Sequence, residues 1–174
     1  MKCDELLSSF ALDFNLHRYI GGLAALKVLQ LHGNQLTRVP AELGRLTALT
    51  GLNLYNNQLT SVPAELGKLV SLETLSLGHN QLTSVPAELG RITALQSLGL
   101  EDNKLTSVPA ALGELSALES ILLSDNRLTS VPKELGDLKA LTILNLAGNP
   151  DLALLPEEVE QLSTTHGGIC TIII

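Results

Sequence analysis

Tryptophan is absent from the 174-residue chain, and phenylalanine and tyrosine occur twice each, so aromatics make up only 2% of the sequence. A core has to be filled with aliphatic side chains, and leucine dominates the text. Positive charge is also scarce: 11 Lys and Arg stand against 18 Asp and Glu, a net charge of -7. That balance repels phosphate backbones and anionic lipid, so neither nucleic acid nor a membrane surface is an expected partner. Basic partners are favoured instead. Long apolar runs are missing as well, and every run falls far short of the roughly 20 residues that span a bilayer. The opening Met1-Lys2-Cys3-Asp4-Glu5 puts acids where a signal peptide carries a basic flank and an apolar stretch, which leads us to expect a cytoplasmic protein. Cysteine is limited to Cys3 and Cys170 near opposite ends, and free thiols are expected. Cys170 stands fifth from the end where prenylation uses the fourth position.

The motifs of common chemistries are missing too. There is no glycine-rich phosphate loop of the G-x-x-x-x-G-K-[ST] type and no C-x-x-C or H-x-x-x-H pair, so no nucleotide, cofactor or structural zinc is expected. Ser124 beside Asp125 invites a hydrolase reading, but the nearest histidine of the array, His79, is two units or roughly 10 Å of sheet away at strand spacing. An enzyme is not expected.

What the sequence does have is a period. Leu26, Leu49, Leu72, Leu95, Leu118 and Leu141 each open a near-identical block, with every interval equal to 23 residues. A unit reads L-x-x-L-x-L-x-x-N-x-L-T-S-V-P-A-E-L-G-x-L-x-x, as in the stretch from Leu49 to Ser71. One extra residue falls between Asn149 and Pro156. The alternation L-x-L predicts a short strand with leucines on one face, and stacked units predict a parallel sheet. An asparagine follows each strand (Asn34, Asn57, Asn80, Asn103, Asn126, Asn149), where an amide with donors and acceptors can satisfy backbone groups turned inward. Pro40 and its equivalents fit the start of a short helical turn, the following Glu suits its positive end, and Gly44, Gly67, Gly90, Gly113 and Gly136 are read as ending it.

These residues carry a resemblance. The chain resembles leucine-rich repeat proteins of the 23-residue intracellular kind, whose second half reads L-x-x-V/L-P-x-x-L/I-G-x-L, and is similar to arrays of Ras-binding scaffolds and Roc-type GTPases. The match covers 139 of the 174 residues. The resemblance implies an α/β repeat fold: a curved, right-handed solenoid with the parallel sheet on its concave face, short helical or 3₁₀ turns on its convex face, and partner binding on the sheet.

Three segments are expected: a helical cap with half a repeat over 1–25, six repeats over 26–164, and an irregular tail or cap over 165–174. Leu6, Leu7, Phe10 and Phe14 at three- and four-residue spacing suggest the capping helix, and the apolar end Thr171-Ile172-Ile173-Ile174 either adds an irregular closing strand or marks a truncated or foreign end.

Since folding explains the framework, information about a partner has to reside at the third, fifth, seventh and eighth positions of each unit. Tyr55 is the array's one aromatic and combines area with a polar tip, so it is the expected anchor, with His32, Asn53 and Glu101 around it. The eighth positions align Asn56, His79, Asp102 and Asp125 in a column, where carboxylates accumulate beside Glu101 and invite a basic group of a partner. Leu122 adds an apolar contact on the fifth strand. The expected function is therefore a monomeric, non-catalytic protein-interaction module whose partner carries a basic patch. The alternatives are a regulatory or sensor segment of a larger signalling protein, such as a Roc-type GTPase or a Ras-pathway scaffold, and an enzyme-associated role supplied by the tail.

Overall fold

The computed structural model describes residues 23–165 and 170–174. Of the expected helical cap over 1–25, residues 1–22, with Leu6, Leu7, Phe10 and Phe14, lie outside the described residues. Strands β1 (Val28–Gln30), β2 (Gly51–Asn53), β3 (Thr74–Ser76), β4 (Ser97–Gly99), β5 (Ser120–Leu122), β6 (Ile143–Asn145) and β7 (Thr171–Ile173) form one sheet in sequence order. All neighbours are parallel, and Leu29, Leu52, Leu75, Leu98, Ile121 and Leu144 stand side by side across it. The first six strands are one period apart. The seventh is built from the final isoleucines, with Ile172 opposite Leu144.

Between strands the chain returns through 3₁₀ turns at Ala41–Arg45, Ala64–Lys68, Ala87–Arg91, Ala110–Glu114 and Lys133–Asp137, and after β6 through the short helices α1 (Glu157–Glu160) and α2 (Leu162–Thr165). Each 3₁₀ turn is preceded by a proline in an extended conformation, such as Pro63 at φ -72° and ψ 145°. The proline thus sits one residue before the turn, where its fixed φ sets the entry angle and its missing N–H costs nothing.

The glycines need a correction. Gly44, Gly67, Gly90 and their equivalents lie inside the turns, and the residue after the turn is Leu46, Leu69 or Ile92. A Cβ at Gly44 would collide with the backbone carbonyl of Glu65, and one at Gly67 with that of Glu88. Close approach of neighbouring turns, rather than helix termination, fixes glycine here.

Leucines from both limbs meet in the middle. In the third unit Leu72, Leu75, Leu77, Leu82, Leu89 and Ile92 are all fully buried. Each unit repeats that layer, so among the described residues aliphatic side chains fill the interior without an aromatic. The asparagines tie the layers together. Asn80 Nδ2 donates to Leu77 O (2.9 Å) and Gly78 O (3.1 Å) of its own unit and to Leu54 O (3.1 Å) of the unit before, while its Oδ1 accepts from Leu59 N–H (3.0 Å). Asn57, Asn103, Asn126 and Asn149 make the same bridge. Among the described residues no helix is long and apolar enough to cross a membrane.

Candidate partner-binding face

Side chains of the third, fifth and seventh positions stand on the sheet face opposite the leucine core, because strand residues alternate. The eighth position follows at the bend. There the structure shows a constraint that sequence reasoning missed: Asn56, His79, Asp102 and Asp125 have φ between 49° and 54°, and Gly33 and Gly148 have φ of 67° and 71°. All six units turn left-handed at this residue. Glycine reaches that region without strain, and Asn, Asp and His are the side chains most often found there. The residue types of the column are therefore set partly by the backbone bend.

The structure brings four of the candidate residues together. The Tyr55 and His79 rings meet edge-on, with centroids 4.8 Å apart and planes at 63°. His79 Nδ1 lies 2.6 Å from Asp102 Oδ2, so the ring N–H donates to the carboxylate. Both groups remain open to water, at 46% and 56% exposure. Glu101, next to Asp102, lies back over the sheet. A Cβ on Gly78 or Gly99 would meet its carboxylate, so these two glycines leave the space in which it rests. Its Oε2 is enclosed there without a hydrogen-bond partner.

The remaining candidates are more dispersed. Asn53 Oδ1 accepts from Tyr55 N–H at 3.0 Å, so its carbonyl end finishes its own strand. His32 is exposed in the first unit, whose next residue Gly33 donates its N–H to Tyr55 O. Asn56 is exposed beside Tyr55, and Leu122 and Asp125 lie in the fifth unit, half-buried and exposed respectively. Asp125 rests against the bend of the sixth unit, where a Cβ on Gly148 would meet its carboxylate.

An apolar patch at the last strands was not anticipated as a unit. Ile143 on β6 is 40% exposed and Ile173 on β7 is 42% exposed, while Leu122 is half-buried on β5. The run of isoleucines was visible, but its register against β6 was not, since 28 residues rather than one period separate Ile143 from its partner Thr171. Among the described residues no group of three or more His, Cys, Asp or Glu side chains is placed to hold a metal ion. Cys170 is a buried free thiol, and burial pushes its pKa up.

An open parallel sheet backed by 3₁₀ turns, one strand and one asparagine per unit, defines a leucine-rich repeat solenoid. A profile of the leucine-rich repeat region matches residues 10–147, and the chain belongs to that family. Among solved structures, a leucine-rich repeat protein of Leptospira interrogans is similar, with a TM-score of 0.71 and 36% identity over 83% of this chain. The chain corresponds to 43% of that protein's length. No curated protein matches the chain significantly. Domains of this family commonly serve as protein-interaction modules.

Proposed function

We infer that this chain is a non-catalytic module that binds a protein partner through the concave face, with Tyr55, His79, Glu101 and Asp102 at the centre of contact. The observation that carries the reading is the contact chain Tyr55–His79–Asp102, which holds an aromatic ring and a carboxylate on the open sheet while the buried framework is occupied with folding. An aromatic held in place loses little entropy on binding and offers area with a polar tip. Glu101, Asp102 and Asp125 give the face a negative sign, which suits a basic surface and attracts it over distance. His32, Asn53, Asn56 and Leu122 complete the surface around this centre. The partner meets a monomer of this chain, and the surface repels nucleic acid and anionic membrane.

The test is to capture the protein partner by affinity purification and measure its affinity for variants that keep the wild-type melting curve. Tyr55→Ala should weaken binding by about 30-fold, the size of a hot-spot loss. Arg45→Ala, on a convex turn, should leave binding unchanged. The reverse pattern would show that the binding face is the convex one.

A further inference from the structure

Three carboxylates stand on the concave face of the middle units, and their surroundings differ. Asp102 Oδ2 is taken by His79 Nδ1 at 2.6 Å. Asp125 rests against the bend of the sixth unit, where a Cβ on Gly148 would meet it. Glu101 is the exception. It is half-buried, and its Oε2 is shut away from water without a hydrogen-bond partner. Enclosed polar atoms in native structures are paired almost without exception, so an orphaned carboxylate oxygen marks a place where a donor is missing.

The place itself is made by two glycines. Gly99 lies in β4 and Gly78 just after β3, and neither has a positive φ, so the backbone does not require glycine at either position. Glycine in a strand has no side chain to pack and often marks a close approach by another group. Here that group is the Glu101 carboxylate. A Cβ on Gly78 would run into its Oε1, and one on Gly99 would come to 3.0 Å from its Oε2. The two glycines form a seat that the side chain occupies while no donor is present.

The row of seventh positions selects the donor. Gly78 stands between Tyr55 and Glu101 across neighbouring units, so the ring and the carboxylate are two strand steps, roughly 10 Å, apart with no side chain between them. That gap suits one planar cation, stacked on the ring and hydrogen-bonded edge-on to the acid. A guanidinium does both, stacking on an aromatic face and donating two parallel N–H groups to one carboxylate, whereas an ammonium is a compact and strongly hydrated charge. The chain's own Lys104 does not supply it, since its Nζ donates to Gln81 Oε1 at 3.1 Å. We propose that Glu101 is the specificity-determining residue of this face: its carboxylate rests on Gly78 and Gly99 in the free chain and rises on binding to clasp one arginine guanidinium of the partner against the Tyr55 ring. Rising costs Oε2 no hydrogen bond, because it has none in the seat. This rests on the concave reading above and names the side chain that the face accepts.

The probes are the N-acetyl amides of arginine, of lysine and of citrulline, the last an uncharged analogue of arginine. Each is titrated to tens of millimolar into the isotopically labelled full chain at low salt. The arginine compound should move the Glu101 carboxyl carbon and the Tyr55 ring signals along one saturable curve, and the lysine and citrulline compounds should bind more weakly. Glu101→Gln should weaken arginine binding about fivefold, the upper range for an exposed charge pair. Gly78→Ala, whose methyl group evicts the carboxylate from its seat, should bring the Glu101 carboxyl signal close to its arginine-bound position with no ligand present. That variant should bind arginine at least as tightly as the native chain.

If Gly78→Ala leaves the Glu101 signal unmoved, or weakens arginine binding as Glu101→Gln does, the rise from the seat is overturned. Equal binding of arginine with either of the other compounds, or no shift at Glu101 and Tyr55, overturns the arginine assignment. The concave reading is judged separately on the captured partner. It stands if Tyr55→Ala weakens that complex, and it falls with the proposal if neither Tyr55→Ala nor Glu101→Gln does.

Discussion

At the scale of single residues, two positions that look alike in sequence obey different physics. Asparagine at the ninth position is buried and bridges two units with four hydrogen bonds, as at Asn80. Asn80→Ala would strand the Leu59 N–H and the carbonyls of Leu54 and Leu77, at a cost of about 2–4 kcal/mol, the range for unsatisfied buried polar groups. Urea denaturation would read this as a lower midpoint with an unchanged slope. One residue earlier, Asp102 is exposed and its constraint is φ 49°. There Asp102→Asn should be nearly neutral, whereas Asp102→Val should cost at least about 1 kcal/mol, since a β-branched residue is strained at positive φ. A melting comparison of the two variants separates backbone strain from charge. The asparagine's role was legible from its chemistry and period. The bend was not, because Asn, His and Asp at one position read as free variation until φ is known.

Elements show the same division between what the pattern carries and what only packing reveals. Strand, asparagine and proline each follow from a local rule, so the sheet and its return turns could be placed from the repeat alone. The glycines could not, because their reason lies in the neighbouring unit. Gly67→Ala pushes a Cβ into the backbone carbonyl of Glu88, while Gly78→Ala pushes one into the flexible carboxylate of Glu101. The first should cost about 2 kcal/mol or more and the second far less, which thermal unfolding of the two variants would check. At the end of the sheet, β7 covers Leu144 and Leu146, with Cys170 buried behind it. Burial raises the folded thiol's pKa above its unfolded value of about 8.5. The unfolded chain therefore ionises first, so this contribution to stability is complete below that pH and is lost as pH rises through the folded pKa. Cys170→Ser should weaken the fall in unfolding free energy above pH 8.5. An unchanged alkaline slope would show that the thiol makes no such contribution.

For the whole molecule, stacking is the source of both stability and surface. Each layer contacts only its neighbours, and leucine packing with the asparagine bridges completes each layer from side chains alone. Treatment with a chelator should accordingly leave the melting curve unmoved. Because one face of every strand is given to the core, the other is available for chemistry that folding does not prescribe. The repeat made that division legible, while the contact chain Tyr55–His79–Asp102 and the closing strand emerge only when successive units are stacked in space. Amide chemical-shift mapping of the isotopically labelled chain with its captured partner tests the central claim most directly. With a concave binding face, shifts gather at 51–56, 74–79, 97–102 and 120–125, along the concave strands and their bends. Shifts gathered instead on the turns at 41–45, 64–68 and 87–91 would contradict it.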